Sequence, residues 1–140
     1  MVEQASHVKL GNEYLKDDIL TFTENLENIQ KADVLILSSV IQYCKEPHQV
    51  LDMIVDKNIK YIIIDRSGDI WQNENPEICR LQYAKNYGYA PTIYPRWFLN
   101  WKLFYAHFEK KYKLRDYFAS GRDMHLNING FVFEKKETNQ

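Results

Sequence analysis

Ser38, Ser39, Gln42 and Tyr43 follow one short apolar run, and Asp65 and Arg66 follow another. These residue types suit small-molecule chemistry. Hydroxyls donate and accept, a carboxamide fixes orientation, and an ionised carboxylate accepts only. A carboxylate such as Asp65 can orient or deprotonate an acceptor hydroxyl, and a guanidinium such as Arg66 can hold an anion. Each also has a structural use. An Asp65–Arg66 pair can cap a strand end, and Tyr43 can pack its ring in a core with the hydroxyl at the surface.

The elements around these residues decide whether they meet. Asp33–Leu37 reads as a strand that stops at the two serines. Pro47 suits the first turn of a helix, where its missing N–H has no partner anyway. Val50, Leu51, Ile54 and Val55 form the apolar stripe of that helix, and Asn58 ends it. Tyr61–Ile64 reads as a strand with apolar residues on both faces, as in a parallel sheet covered by helices. Strand, polar tip, helix, strand and polar tip make a βαβ unit, and in open α/β sheets the ligand lies at the carboxyl ends of the strands. The expectation is one crevice holding all six polar residues.

Elsewhere the pattern is weaker. Ser6 to Lys16 reads as a helix with Ser6 at its cap and Gly11 a weak point worth about 1 kcal/mol against Ala. Asp17-Asp18 reads as a turn and Ile19–Thr23 as a short strand. Glu24 to Lys31 is a brief helical segment with Leu26 and Ile29 inward. Ser67 to Thr92 reads as a long loop of the kind that binds or covers ligands. Trp97, Phe98, Trp101, Leu103, Phe104, Phe108 and Tyr112 read as one apolar helix. Tyr112–Phe118 and Gly130–Lys135 read as antiparallel strands around a polar turn at Met124–Asn129. Residues 1–136 read as one domain and Glu137–Gln140 as a frayed tail.

With 140 residues the chain is long enough for one core, and its formal charge of -1 gives no broad field for nucleic acid or an anionic membrane. The aromatic side chains between Tyr83 and Phe118 read mainly as a helix packed on a sheet. The two cysteines, Cys44 and Cys79, form no Cys-x-x-Cys pair and read as reduced thiols. No apolar run approaches the ~20 residues of a membrane span, so the chain reads as cytoplasmic. The four histidines, His7, His48, His107 and His125, are scattered without metal-ligand spacing, so no metal is expected. His48 and His125 are candidate bases with a surface role as the plainer reading. There is no phosphate-cradling glycine loop, G-x-S-x-G elbow or H-E-x-x-H.

Leu37-Ser-Ser-Val-Ile-Gln-Tyr43, Glu46-Pro47, Tyr61-Ile-Ile-Ile-Asp-Arg66 and Tyr94-Pro-Arg-Trp-Phe98 occur in this order. The set resembles a bacterial family of class I S-adenosylmethionine-dependent methyltransferases, often found among polysaccharide-biosynthesis genes. Val2-Glu-Gln4 and Gly11 match the preceding segment of that family. The resemblance implies a three-layer α/β sheet of Rossmann-like type, mostly parallel with an antiparallel C-terminal strand pair. It implies S-adenosylmethionine as cofactor, with Glu3 on the ribose hydroxyls and Glu24, Asn25 and Leu26 about the adenine. Ser38, Ser39 and Gln42 then lie beside the methionine moiety, Tyr43 near the reactive methyl, and Asp65 and Arg66 at a sugar or other small acceptor. Tyr94, Pro95, Arg96 and Trp97 are candidates for an acceptor wall. The family's first strand and glycine-rich turn have no counterpart here. The expectations are therefore impaired cofactor binding by this chain alone and open sheet edges that can pair with a second copy. The alternative is a catalytically silent binding or assembly module.

Overall fold

The computed structural model describes residues 1–29, 31–68, 70, 74–84, 91–119 and 128–137. The sequence-read turn at Met124–Asn129, apart from its last two residues, the base candidate His125 and the tail beyond Glu137 lie outside the described residues. The chain divides into two compact units, Met1–Ala32 and Asp33–Gln140.

In the first unit α1 (Ala5–Tyr14) begins after Gln4, which makes no side-chain cap, so Ser6 sits in the first turn and not at the cap. Val2 and Thr23 form a single parallel bridge, with Glu3 N donating to Thr23 O at 3.0 Å. The strand expected at Ile19–Thr23 shrinks to that bridge, and Ile19 is 95% exposed. Its neighbours are instead held in a turn, where Asp17 Oδ1 accepts from the backbone N–H of Ile19 and Leu20 at 2.8 and 2.6 Å. Gly11 lies against the Phe22 ring, and a Cβ at residue 11 would stand 2.6 Å from it. The glycine therefore buys close packing at the expense of helix propensity. A short 3-10 turn, Leu26–Asn28, is capped by Asn25.

The second unit is built on a four-stranded sheet. Its strands are β1 (Val34–Ser38), β2 (Tyr61–Gly68), β5 (Tyr112–Ala119) and β6 (Ile128–Lys135), in the order β1-β2-β6-β5. Between β1 and β2 runs α2 (Pro47–Asp56), which starts on Pro47 as its sequence predicts. Asn58 closes it with φ 54°, a left-handed value that Asn tolerates better than most residues. This crossover makes β1 and β2 parallel, in the register Val34↔Tyr61 through Ser38↔Asp65.

The expected mostly parallel, three-layer sheet does not form. β6 is antiparallel to both β2 and β5, which leaves β1–β2 as the one parallel pair of this mixed sheet. The cause is connectivity. Parallel neighbours need a crossover, usually helical, and among the sheet strands only α2 joins two that end as neighbours. Beyond β2 the chain builds a separate antiparallel ribbon of β3 (Ile78–Ala84) and β4 (Thr92–Phe98). This replaces much of the expected loop, and it removes Trp97 and Phe98 from the expected long helix. That helix, α3, spans Trp101–Glu109 and is capped by Asn100, whose Oδ1 accepts from Lys102 N and Leu103 N. Pro95 is tolerated because a two-stranded ribbon has an outer edge where no N–H is needed.

One face of the sheet carries the core. Ile62, Ile64, Phe131 and Phe133 are all fully buried and share that face through the pairs Ile62↔Phe133 and Ile64↔Phe131. Each such side chain contributes about 1.5–3 kcal/mol by leaving water. α3 packs there, with Phe108 stacked on Phe133 at 4.0 Å between centroids. The other face is thinner than a helix-covered parallel sheet requires, since Val34 is 44% and Ile36 65% exposed. No helix among the described residues is long and apolar enough to cross a membrane.

Candidate functional site

The parallel pair β1–β2 brings two polar tips side by side. Ser38 and Asp65 are register partners, so their side chains leave the same face. Ser38 Oγ donates to Asp65 Oδ2 at 3.2 Å and accepts from Arg66 Nε and Nη2 at 3.0 and 2.8 Å. One hydroxyl thus uses its donor and both acceptor positions. Arg66 also stands 3.6 Å from the Asp65 carboxylate.

The backbone is shaped to make this corner. Ser39 and Arg66 adopt φ of 56° and 51°, a region that costs a non-glycine residue roughly 1 kcal/mol. Ser39 N donates to Asp65 O at 2.9 Å. The β2–β6 register shifts between Ile64 and Ser67. That irregularity takes Asp65 and Arg66 out of the β2–β6 pairing while Asp65 keeps its place beside Ser38, a recurrent use of bulges beside functional sites.

Behind the corner lies a buried polar layer. Gln42, in the 3-10 turn Ile41–Tyr43, is 2% exposed and donates through Nε2 to Arg66 O at 3.1 Å. Its Oε1 and the Oγ of fully buried Ser67 have no hydrogen-bond partner among the described residues. Leaving such an atom unpaired costs about 1–3 kcal/mol. Asn129, paired with Ser67 in the ladder, is also buried and accepts from Tyr117 OH at 2.7 Å. Tyr43 is 41% exposed and meets the ring of Tyr94, on β4, edge-on at 5.4 Å.

The candidates Glu3, Glu24, Asn25 and Leu26 lie in the first unit. Glu3 is 3.7 Å from His7 and lines, with Leu10, Tyr14 and Phe22, a largely apolar groove of about 510 Å³. Glu24 is exposed and Leu26 half-buried. Asn25 Oδ1 accepts from Glu27 N at 2.8 Å, the capping role that competes with any role at an adenine. Of the expected wall, Tyr94–Trp97 lie on β4, and the Arg96 guanidinium stands 5.3 Å over the Phe98 ring.

Ser67 and Asn129 escaped sequence reading. Each sits in a polar stretch at the end of an apolar strand, and nothing local says that both are buried. Among the described residues, no group of three or more His, Cys, Asp or Glu side chains is placed to hold a metal ion. No family model, curated protein or solved structure matches the chain.

Proposed function

We propose that the chain serves S-adenosylmethionine-dependent methyl transfer to a small acceptor, such as a sugar hydroxyl, with the β1–β2 corner as the reacting end. The carrying observation is the Ser38–Asp65–Arg66 cluster backed by the partnerless Gln42 Oε1 and Ser67 Oγ. This donor set fits the group. A carboxylate and an amide oxygen suit a cationic sulfonium, and Arg66 suits a carboxylate at the amino-acid end. When bound, the sulfonium supplies a methyl group that passes in line to a nucleophile and leaves a neutral thioether. Asp65 accepts the acceptor's proton, Ser38 holds Asp65 and Arg66 in place, and positioning supplies most of the rate. The ordered sequence set supports the same reading.

Calorimetric titration with S-adenosylmethionine and S-adenosylhomocysteine tests it. Binding that is weakened about tenfold, or 1.4 kcal/mol, in Gln42→Met supports the proposal. Absence of binding, both by this chain and after a strand and glycine-rich turn are supplied ahead of Met1, removes it.

A second reading, an assembly module, is favoured by the contrast between the two sheet edges. β5 carries Lys113, Arg115 and Asp116 and a register shift, all of which discourage pairing. β1 is Val-Leu-Ile-Leu-Ser with none of these. A concentration-dependent dimer in light scattering, abolished by Ile36→Lys, would select this reading.

A further inference from the structure

Away from the corner, four side chains form a continuous chain of short contacts. Glu77 Oε2 meets His48 Nε2 at 2.7 Å, His48 Nδ1 meets His107 Nε2 at 2.8 Å, and His107 Nδ1 meets Asp52 Oδ1 at 2.6 Å. His48 and Asp52 are one turn apart on α2, and His107 comes from α3. Glu77 immediately precedes β3.

Counting protons gives the state of this chain. An ionised carboxylate only accepts, so each outer ring nitrogen must carry hydrogen. Two neutral imidazoles would then point two lone pairs at each other across the 2.8 Å gap. Two imidazolium rings would point two N–H groups at each other. The geometry is satisfied by one proton more than two neutral rings and two carboxylates hold, shared at the inner contact.

The position gives the consequence. Glu77 Oε1 accepts from Asn100 N at 3.0 Å, and Asn100 Nδ2 donates to Asn75 O at 3.1 Å. Glu77 lies at the foot of β3, and Asn100 lies just past β4 and caps α3. Both feet of the ribbon are therefore tied to α2 through Glu77 and His48, and His107 joins that tie to α3. The ribbon in turn places Tyr94 against Tyr43 beside the corner.

We infer that Glu77, His48, His107 and Asp52 form a pH-responsive latch that shares one proton and fixes the base of the β3–β4 ribbon. This holds whether or not the corner transfers methyl groups. The facing charges are Asp52 from α2 and Glu77 from the segment ahead of β3. The nearby Asp56 and Glu74 are already paired with Lys111 and Lys102. Asp52 and His48 are 68% and 36% exposed while Glu77 and His107 are 14% and 15% exposed, so solvent reaches the contacts from the two α2 residues. The sign follows from the count. The inner contact is satisfied only while one proton sits in it, so it opens when that proton leaves as pH rises. It also opens when a second inner proton arrives and two N–H groups face each other, which makes two steps in all. Both steps belong to the pair and not to either ring.

The test is a titration of the 15N-labelled chain from about pH 4.5 to 9, the range in which histidine responds. The imidazole nitrogens of His48 and His107 should move together in two common steps. Protection factors for amides at the ribbon base, such as Ile78 and Phe98, should peak between them and fall about threefold on either side. In His48→Gln, His107 should titrate in one step and the peak should flatten. If each wild-type ring titrates alone in a single step, or the wild-type protection factors ignore pH, the latch does not exist. The wild-type arm decides this even where the variant is unstable.

Discussion

Ser38→Ala is the most discriminating change at the corner, because one hydroxyl serves three contacts. Its bond to Asp65 is part-buried, and its two bonds from Arg66 are exposed. A net hydrogen bond contributes about 0.5–1.5 kcal/mol, and more when a charge is involved. Arg66 is 58% exposed, so water replaces its lost partner and the Arg66 contribution falls to about 0.5 kcal/mol. Asp65, 28% exposed, recovers less, about 1 kcal/mol lost. The expected cost of Ser38→Ala is therefore about 1–2 kcal/mol, or roughly 3–10 °C in Tm for a domain of this size. Arg66→Ala alone should cost about 0.5 kcal/mol, since the left-handed backbone remains with Ala. Urea unfolding followed by tryptophan emission is the assay, because the three tryptophans all fall in the unit Asp33–Gln140. Across the double-mutant cycle a coupling of about 0.5–1 kcal/mol is expected between Ser38 and Arg66. Additivity of the two changes within about 0.3 kcal/mol would refute the bridged corner.

Gly11→Ala should destabilise the first unit although it improves helix propensity. The propensity gain is about 1 kcal/mol, whereas forcing a methyl against the Phe22 ring costs about 1–3 kcal/mol. Loss of helical circular dichroism at lower temperature checks it, and a stabilised variant would contradict the packing. Tyr112→Phe removes the hydroxyl that donates to Ile59 O at 2.9 Å in the interior. The orphaned carbonyl should lower unfolding free energy by about 1–3 kcal/mol in denaturant titration. Burial pushes the Cys44 thiol up, so it holds less thiolate at neutral pH and should react with a disulfide reagent more slowly than exposed Cys79. Mass spectrometry of partly labelled protein reads the order directly, and equal rates would contradict it. The Lys113 hydrogen bond, followed by the charges of Arg115 and Lys113, holds Glu134 below its ordinary 4.5. A lowered carboxylate contributes stability above its unfolded pKa and loses it as pH falls through the folded one. The Tm gap between wild type and Glu134→Gln should therefore be open at neutral pH and close in acid.

Several features could be read from one dimension because they depend on neighbours in sequence. The apolar run before Ser38 forms β1, Pro47 starts α2, Asn58 takes the left-handed turn, and Tyr61 opens β2. Their order also fixes the parallel pair, since a strand–helix–strand unit returns to the same edge in the same direction. That puts the Ser38 and Asp65 tips on one rim, and the observed register makes them partners. The buried stripe of α2 follows equally from helical spacing.

Local pattern could not supply what depends on distant partners. Thr92–Phe98 has aromatic and β-branched residues that suit a strand or a core helix, and pairing with Ile78–Ala84 decides for the strand. Periodicity tells which face of a segment is apolar, not which neighbour covers it or in which direction that neighbour runs. The antiparallel insertion of β6 between β2 and β5, the burial of Ser67 and Asn129, and the meeting of His48 with His107 across 59 residues are of this kind. Residue types therefore set the chemistry available to this chain, and three-dimensional packing chose which of those groups share a proton, a hydroxyl or a corner.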